Sequence, residues 1–573
     1  MVNCGSPFPV PHSLFPVPSS LPMSLLPDID SLSLAEQVGQ MVVVRASGHL
    51  FDPQIRYPVW EPPAATLQRW LEELNLGGAI LLGGSAAEIG VRSQQLQHWA
   101  RIPLLIAADI EEGVGQRFAG ATWFPPPLAL AAVADRDLES AIRYATQMGA
   151  CTAQEAMAMG LNWVLAPVVD VNNNPDNPVI NVRAFGAVPE TVIQLATAFI
   201  RGAQPYPVLT AAKHFPGHGD TSIDSHLELP VLSHSPERLA EIERPPFVAA
   251  IAAGVDSVMS AHLLIPAWDA ERPATLSPRI LTGELRQALQ FQGLIVTDAL
   301  VMGAIAKRYG PGEAPIMAVE AGADILLMPL DPETAIQSVC AAVDSGRIPA
   351  ERIRSSVERI WQAKQKVCLS PPPETTVGSP DRAPISLPIQ LQQLAQPQAR
   401  TIAAAILRDS MTIRGTLPWK PDAHSSGSPR NVIVVDNLLN SPFLDFQGPA
   451  IALPEQQGCT TQLCDSHTPL PAPADRFQPT LLQLFIRGNP FRGSANLNQM
   501  ASTWRERLLK KHELHALVIY GSPYIWEQFS KEIDPAIPCL FSYGQMPAAQ
   551  AIALEMLFGL SPQASPARNL VFT

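Results

Sequence analysis

Between about residue 34 and residue 366, eight short apolar runs alternate with amphipathic segments, and few architectures accept that pattern. The runs are 41–45, 78–82, 104–109, 163–169, 208–213, 257–262, 294–298 and 325–328. Each is rich in Val, Ile, Leu or Ala, as a strand buried on both faces should be. Helical periodicity falls between them at 64–74, 138–159, 190–202, 235–253, 278–290 and 314–321. Repeated strand–helix units of this number predict an α/β fold, a closed (β/α)8 TIM barrel, with an open doubly wound sheet as the competitor. No Gly-x-Gly-x-x-Gly follows the first run, which speaks against dinucleotide binding.

A chain of 573 residues exceeds what one core serves, and the rest divides accordingly. Residues 1–33 read as a Pro-rich extension, 34–366 as the barrel, 367–388 as a Pro-rich linker and 389–573 as a smaller αβα domain. In that last part a helical stretch at 391–407 precedes strand-like runs at 431–435, 482–486, 516–520 and 539–542. A Pro-rich loop is expected near 467–479 and a helix over 548–559.

The formal net charge of −13 repels phosphate backbones, so nucleic acid is not an expected partner. No apolar run approaches the ~20 residues a membrane helix needs. Seven scattered cysteines show neither a disulfide framework nor a CxxC zinc pattern, which fits a reducing compartment. The first thirty residues lack a basic stretch, and proline interrupts each apolar one. The expectation is therefore a cytoplasmic protein.

Polar residues gather where the apolar runs end. Asp109, Asp170, Lys213, His214, His262 and Asp298 all stand at or just past a run, which in a barrel is the face where active sites are built. The densest group is KHFPGHGDTSIDSH, Lys213 to His226, whose proline and glycines preclude a regular helix. Three readings of it compete. His214, His218 and His226 with Asp220 and Asp224 have zinc-ligand chemistry; Asp224 and His226 make a carboxylate–imidazole pair for acid/base work; or the loop is only hydrogen-bonded to itself. In VTDALVMGA, Asp298 is either the cap of the next helix or a carboxylate reagent. In ADIEEGVGQRF, Asp109, Glu111, Glu112 and Arg117 form a charged loop with carboxylates suited to sugar hydroxyls, or a solvated one.

Together these segments resemble glycoside hydrolase family 3, and within it the bacterial β-N-acetylglucosaminidases. KHFPGHGDTSIDSH is similar to the family's KHFPGHGxTxxDSH signature, TDAL to its nucleophile motif, and ADIEEGVGQRF to DxEGGxVxRF. PVVDVNNNPDNPVINVRAFG is similar to the segment that ends in a sugar-contacting arginine. The resemblance implies a retaining glycosidase that needs no cofactor or metal. Asp298 would be the nucleophile, His226 the general acid and base, and Asp224 the residue that orients it. Asp109, Arg117, Arg183, Lys213 and His214 would hold the sugar, and His218 would support the loop. Two departures, Glu112-Gly113-Val114 for EGG and Arg183-Ala184-Phe185 for RSF, keep the charged contacts.

The expected substrate is a carbohydrate bearing a terminal β-N-acetylglucosaminide, with muropeptides of cell-wall recycling as the setting. A β-glucosidase, a phosphorolytic enzyme on the same site, a metal-dependent hydrolase and a non-catalytic sugar-binding protein are the alternatives. The oligomeric state is not legible. No catalytic residue is expected from the second domain, because the loop ending in His226 already supplies a proton donor.

Overall fold

The computed structural model describes residues 26–225, 227–368, 389–421, 428–468, 477–487 and 495–561. Most of the N-terminal extension, nearly all of the linker, the middle of the loop expected at 467–479, and His226 lie outside the described residues.

Eight strands form the first sheet: β1 (Val42–Ser47), β2 (Gly78–Leu82), β3 (Leu105–Ala108), β4 (Trp163–Val164), β5 (Leu209–Phe215), β6 (Ser257–Ser260), β7 (Leu294–Val296) and β8 (Leu326–Leu327). Each pairs in parallel with its sequence neighbour through β7, and β8 lies beside β1. A parallel bridge from Val296 to Ile325 joins β7 to the start of β8 and closes the ring. The sheet is thus a barrel, and the open alternative fails. All strand residues but Arg45 and Leu82 are buried, because helices cover the outside while side chains fill the inside.

Proline and glycine chemistry explains where helix boundaries differ from the sequence pattern. The helix expected over 235–253 contains a wide turn, Leu239–Glu243, immediately before Pro245 and Pro246. Their nitrogens cannot donate to the preceding turn. The periodicity at 314–321 is the second half of a longer helix, Gly303–Ala321, broken where Gly310 adopts φ 70° beside Pro311.

The second sheet contains β9 (Thr412–Arg414), β10 (Arg430–Val434), β11 (Thr460–Cys464), β12 (Thr480–Ile486), β13 (Leu514–Gly521) and β14 (Cys539–Ser542). Its order is β11-β10-β12-β13-β14-β9, parallel except for β9 at one edge. Alternation puts Val432, Val434, Leu482 and Leu484 on one face, while Ile433, Leu481, Phe485 and Tyr520 pack with helices Pro397–Ser410, Pro449–Gln456 and Pro547–Phe558 on the other. Both faces are covered, as an αβα layer arrangement requires.

The carboxyl ends of β12 and β13 approach the barrel. Arg487, just past β12, pairs with Glu112. Past β13, the Tyr524 hydroxyl accepts from Asn172 Nδ2 at 2.6 Å. Elsewhere in the interface the Tyr144 hydroxyl donates to Asp409 at 2.8 Å. Among the described residues no helix is long and apolar enough to cross a membrane.

Candidate active site

A cavity of about 680 Å³ opens at the carboxyl ends of the barrel strands. Asp109, Arg117, Arg183, Lys213, His214 and Asp298, which the sequence pattern places far apart in the chain, all line it. Asp224 is buried close by in the chain segment whose Ser225 lines the cavity. His226 lies outside the described residues, and Leu227 beyond it again lines the wall.

Adjacent residues of a regular strand face opposite sides, yet Lys213 and His214 both reach the cavity. The reason is one extra residue in β5: Lys213 pairs with Met259 and Phe215 with Ser260, leaving His214 unmatched. Such a bulge turns a side chain that would otherwise face away.

The base of the site is a charge cluster. Lys213 Nζ lies 2.7 Å from Asp109 Oδ1 and 2.7 Å from Glu111 Oε1. Arg183 donates two 2.8 Å hydrogen bonds to the Glu111 oxygens, a bidentate pair. Burial alone would raise the Glu111 carboxyl, but Arg183 and Lys213 outweigh it and hold the group well below the usual carboxylate range. Burial likewise opposes the Lys213 ammonium, and Asp109 and Glu111 reverse that, so its pKa is raised. Arg117 Nε donates to the Asp109 carbonyl at 2.9 Å and leaves its guanidinium at the rim.

A second buried carboxylate shapes the loop after β5. Asp170 accepts from the backbone nitrogens of His214 (3.1 Å) and His218 (2.7 Å), and its Oδ2 lies 2.8 Å from His214 Nδ1. Burial pushes its pKa up, and the two histidines bring it below the ordinary value. Asn177 Nδ2 donates to the carbonyls of His218 and Gly219, both at 2.8 Å, tying the segment that carries Arg183 to the same loop. A Cβ at Gly219 would meet the Val171 carbonyl oxygen at 1.8 Å, so only glycine fits this close approach.

His218 is a support. Its ring nitrogens meet the hydroxyls of Thr221 (2.8 Å) and Ser225 (3.0 Å), and burial pushes its pKa down to about 4. It is therefore neutral at pH 7. Asp220 pairs instead with His234 at 2.9 Å. His214, His218 and Asp220 thus face different partners, and no group of three potential metal ligands gathers among the described residues.

Asp298 follows β7 and lines the cavity, with Oδ1 accepting from the Ala299 nitrogen at 2.7 Å. It does not cap the next helix, which starts at Gly303 with Met302 in the cap position. The next turn is held from behind: buried His262 Nε2 lies 3.0 Å from the Ala299 carbonyl, an acceptor that requires the hydrogen on that nitrogen. The Leu300 and Val301 nitrogens donate to Leu327 and Met328.

Sequence reasoning left four residues out of the site. Glu111 stands in the charged loop already singled out, and Asp170 at the end of an apolar run, so both carried a signal. Glu112 pairs across the domain boundary with Arg487, a cavity-lining residue from the second domain. Nothing in the sequence alone links those two.

The chain matches the family model of the glycosyl hydrolase family 3 N terminal domain over residues 33–363, and that of the bacterial glycosyl hydrolase family 3 C-terminal domain over residues 423–559. It is similar to the beta-hexosaminidase A of Pseudoalteromonas piscicida, 33% identical over 391 residues that span 62% of this chain and 63% of that one. A beta-N-acetylglucosaminidase/beta-glucosidase of Cellulomonas fimi is 34% identical over 306 residues, 52% of this chain and 53% of that one. The match thus spans less than two thirds of either relative. Among solved structures, a glycoside hydrolase family 3 beta-N-acetylglucosaminidase from Paenibacillus sp. str. FPU-7 aligns with a TM-score of 0.74 at 29% identity, covering 92% of this chain and 97% of the other.

Proposed function

The chain belongs to glycosyl hydrolase family 3, and from that membership we propose that it is a retaining exo-glycosidase that removes terminal β-N-acetylglucosamine residues. The observation that carries this reading is the Asp298 carboxylate at the wall of the cavity whose base holds Asp109, Lys213, Arg183 and His214. A retaining mechanism needs an ionised carboxylate near the anomeric carbon and a proton donor near the leaving oxygen.

In this reading the terminal sugar sits on the charge cluster. Asp109 accepts from its hydroxyls, and Lys213, Arg183, Arg117 and His214 offer donors to its oxygens. Asp298 attacks the anomeric carbon and forms a glycosyl-enzyme ester. His226 protonates the departing oxygen, then takes a proton from the water that cleaves the ester. Imidazole suits both steps because it titrates near neutrality. Asp224 would orient that imidazole. Support for His226 is its place between Ser225 and Leu227, which both line the cavity. Support for an acetamido sugar is the similarity to proteins named for hexosaminidase activity. Trimming of muropeptides in the cytoplasm is the setting we favour, and the six free thiols among the described residues suit it.

The test is hydrolysis of 4-nitrophenyl N-acetyl-β-glucosaminide beside the matching β-glucoside, by wild type and Asp298→Ala. Turnover of the first alone, lost in the variant, is the expected result. Turnover of the glucoside alone would reject the substrate, and full activity in Asp298→Ala would reject the nucleophile. Repeating the reaction in inorganic phosphate, with assay for sugar 1-phosphate, separates hydrolysis from phosphorolysis.

A further inference from the structure

Among the described residues, the second domain reaches the cavity with one charged side chain, Arg487. The two terminal nitrogens of Arg487 donate to the two oxygens of Glu112, Nη1 to Oε2 at 3.0 Å. Glu112 is fully buried, and its Oε2 also accepts from Trp123 Nε1 at 3.0 Å. Trp123 lines the same cavity while packing against the core of the second domain. The junction is therefore part of the cavity wall as well as a contact between domains.

As cement alone, a buried ion pair is a poor choice. Its desolvation cost roughly cancels its attraction, and apolar residues of similar volume would hold the domains as well or better. What a bidentate pair does supply is a fixed orientation for a planar group. A guanidinium has five N–H donors, and Glu112 takes two of them. The others belong to a side chain at the cavity wall.

Within the cavity the Lys213 side chain is 1% exposed and Glu111 4%, whereas solvent reaches Asp109, at 34%, and Arg487, on the wall that the second domain supplies, at 24%. An exo-acting site takes the terminal sugar into its closed end, which leaves the departing group near the opening. We infer that Arg487 is a specificity-determining residue, supplied by the second domain, that donates hydrogen bonds to the oxygens of a glycosyl leaving group. A departing sugar offers hydroxyl, ring and carbonyl oxygens to such a group; an aromatic leaving group offers few. The inference rests on the exo-glycosidase reading above.

The test compares N,N′-diacetylchitobiose with 4-nitrophenyl N-acetyl-β-glucosaminide as substrates for wild type, Arg487→Lys and Arg487→Ala. Lysine keeps a charge opposite Glu112 but loses the fork, so this variant is the one expected to fold with a melting midpoint near wild type. The ratio of kcat/KM for the disaccharide to that for the aryl glycoside should fall about tenfold in Arg487→Lys, the loss of one charge-assisted hydrogen bond. The change should lie mainly in KM for the disaccharide, and Arg487→Ala should fall further. An unchanged ratio in a folded Arg487→Lys chain, whether or not both activities drop, would overturn the inference and leave Arg487 a domain contact. A wild type inert toward both substrates would instead overturn the glycosidase reading, and the inference with it.

Discussion

Lys213 stands at the same 2.7 Å from two carboxylates, so distance cannot say which of them matters for folding. Burial can. The Glu111 side chain is 4% exposed and that of Asp109 34%. Glu111→Gln leaves the buried Lys213 and the partly buried Arg183 with one negative partner fewer. Breaking a buried pair in this way costs about 3–5 kcal/mol, because the charge left behind cannot return to water. Water reaches Asp109, so Asp109→Asn should cost about 1 kcal/mol or less. Unfolding entropy near ~2.1 cal/mol/K per residue gives the region matched over 33–363 about 0.7 kcal/mol/K. The midpoint should then drop by roughly 4–7 °C for Glu111→Gln and by less than about 2 °C for Asp109→Asn. Catalysis should rank them differently. In the proposed reading Asp109→Asn removes an ionic acceptor for the terminal sugar, and kcat/KM should fall about 10²-fold in a chain that remains folded. Thermal melting followed by circular dichroism at pH 7, with kinetics well below both midpoints, checks the pair. Equal midpoint shifts, or a larger one for Asp109→Asn, would refute the claim that burial decides between them.

Other perturbations follow from the same geometry. His226→Ala should lower kcat/KM, which reports the first step, about 10²–10⁴-fold on a sugar leaving group and much less on 4-nitrophenol, which departs with little protonation; equal losses of kcat/KM on both would count against general acid catalysis. His218 carries a folded pKa depressed from 6.5 to about 4, so its contribution is fully present above pH 6.5 and is lost as pH falls toward 4. The loss amounts to about 3 kcal/mol, and His218→Gln should flatten that part of the stability–pH curve; parallel curves for the two chains would rule it out. Tyr524→Phe removes the acceptor for Asn172 Nδ2 and should cost about 1 kcal/mol in denaturant titrations. No measurable loss would mean that this bond contributes nothing to domain docking.

The barrel was legible because each strand is a short apolar run, and most of the runs end at or beside a polar residue. The runs at 78–82 and 539–542 match β2 and β14 residue for residue. The run at 163–169 yields only Trp163–Val164, since Pro167 has no N–H for the ladder. Two strands of the second sheet, β9 and β11, escaped notice because they are edge strands with half-exposed, polar side chains. Asp109, Lys213 and Asp298 were legible from the ends of their runs. The pairing of Glu112 with Arg487 was not, because it depends on how two domains dock across 375 positions of sequence.

Barrel closure also sets an order on biosynthesis. Every residue assigned a role in bond cleavage precedes Ala299, yet the turn after Asp298 is stitched to Leu327 and Met328, and Leu326 and Met328 in turn donate to Met41 and Val43 of the first strand region. A nascent chain that has emerged only as far as residue 320 carries every reagent of the proposed mechanism but lacks the last stave that fixes their positions. Competence arrives only with the eighth strand, and the cavity wall is complete only when β12 and Arg487 follow. Ribosome-stalled chains cut before and after residue 328 would therefore differ sharply in activity, although they contain the same chemistry.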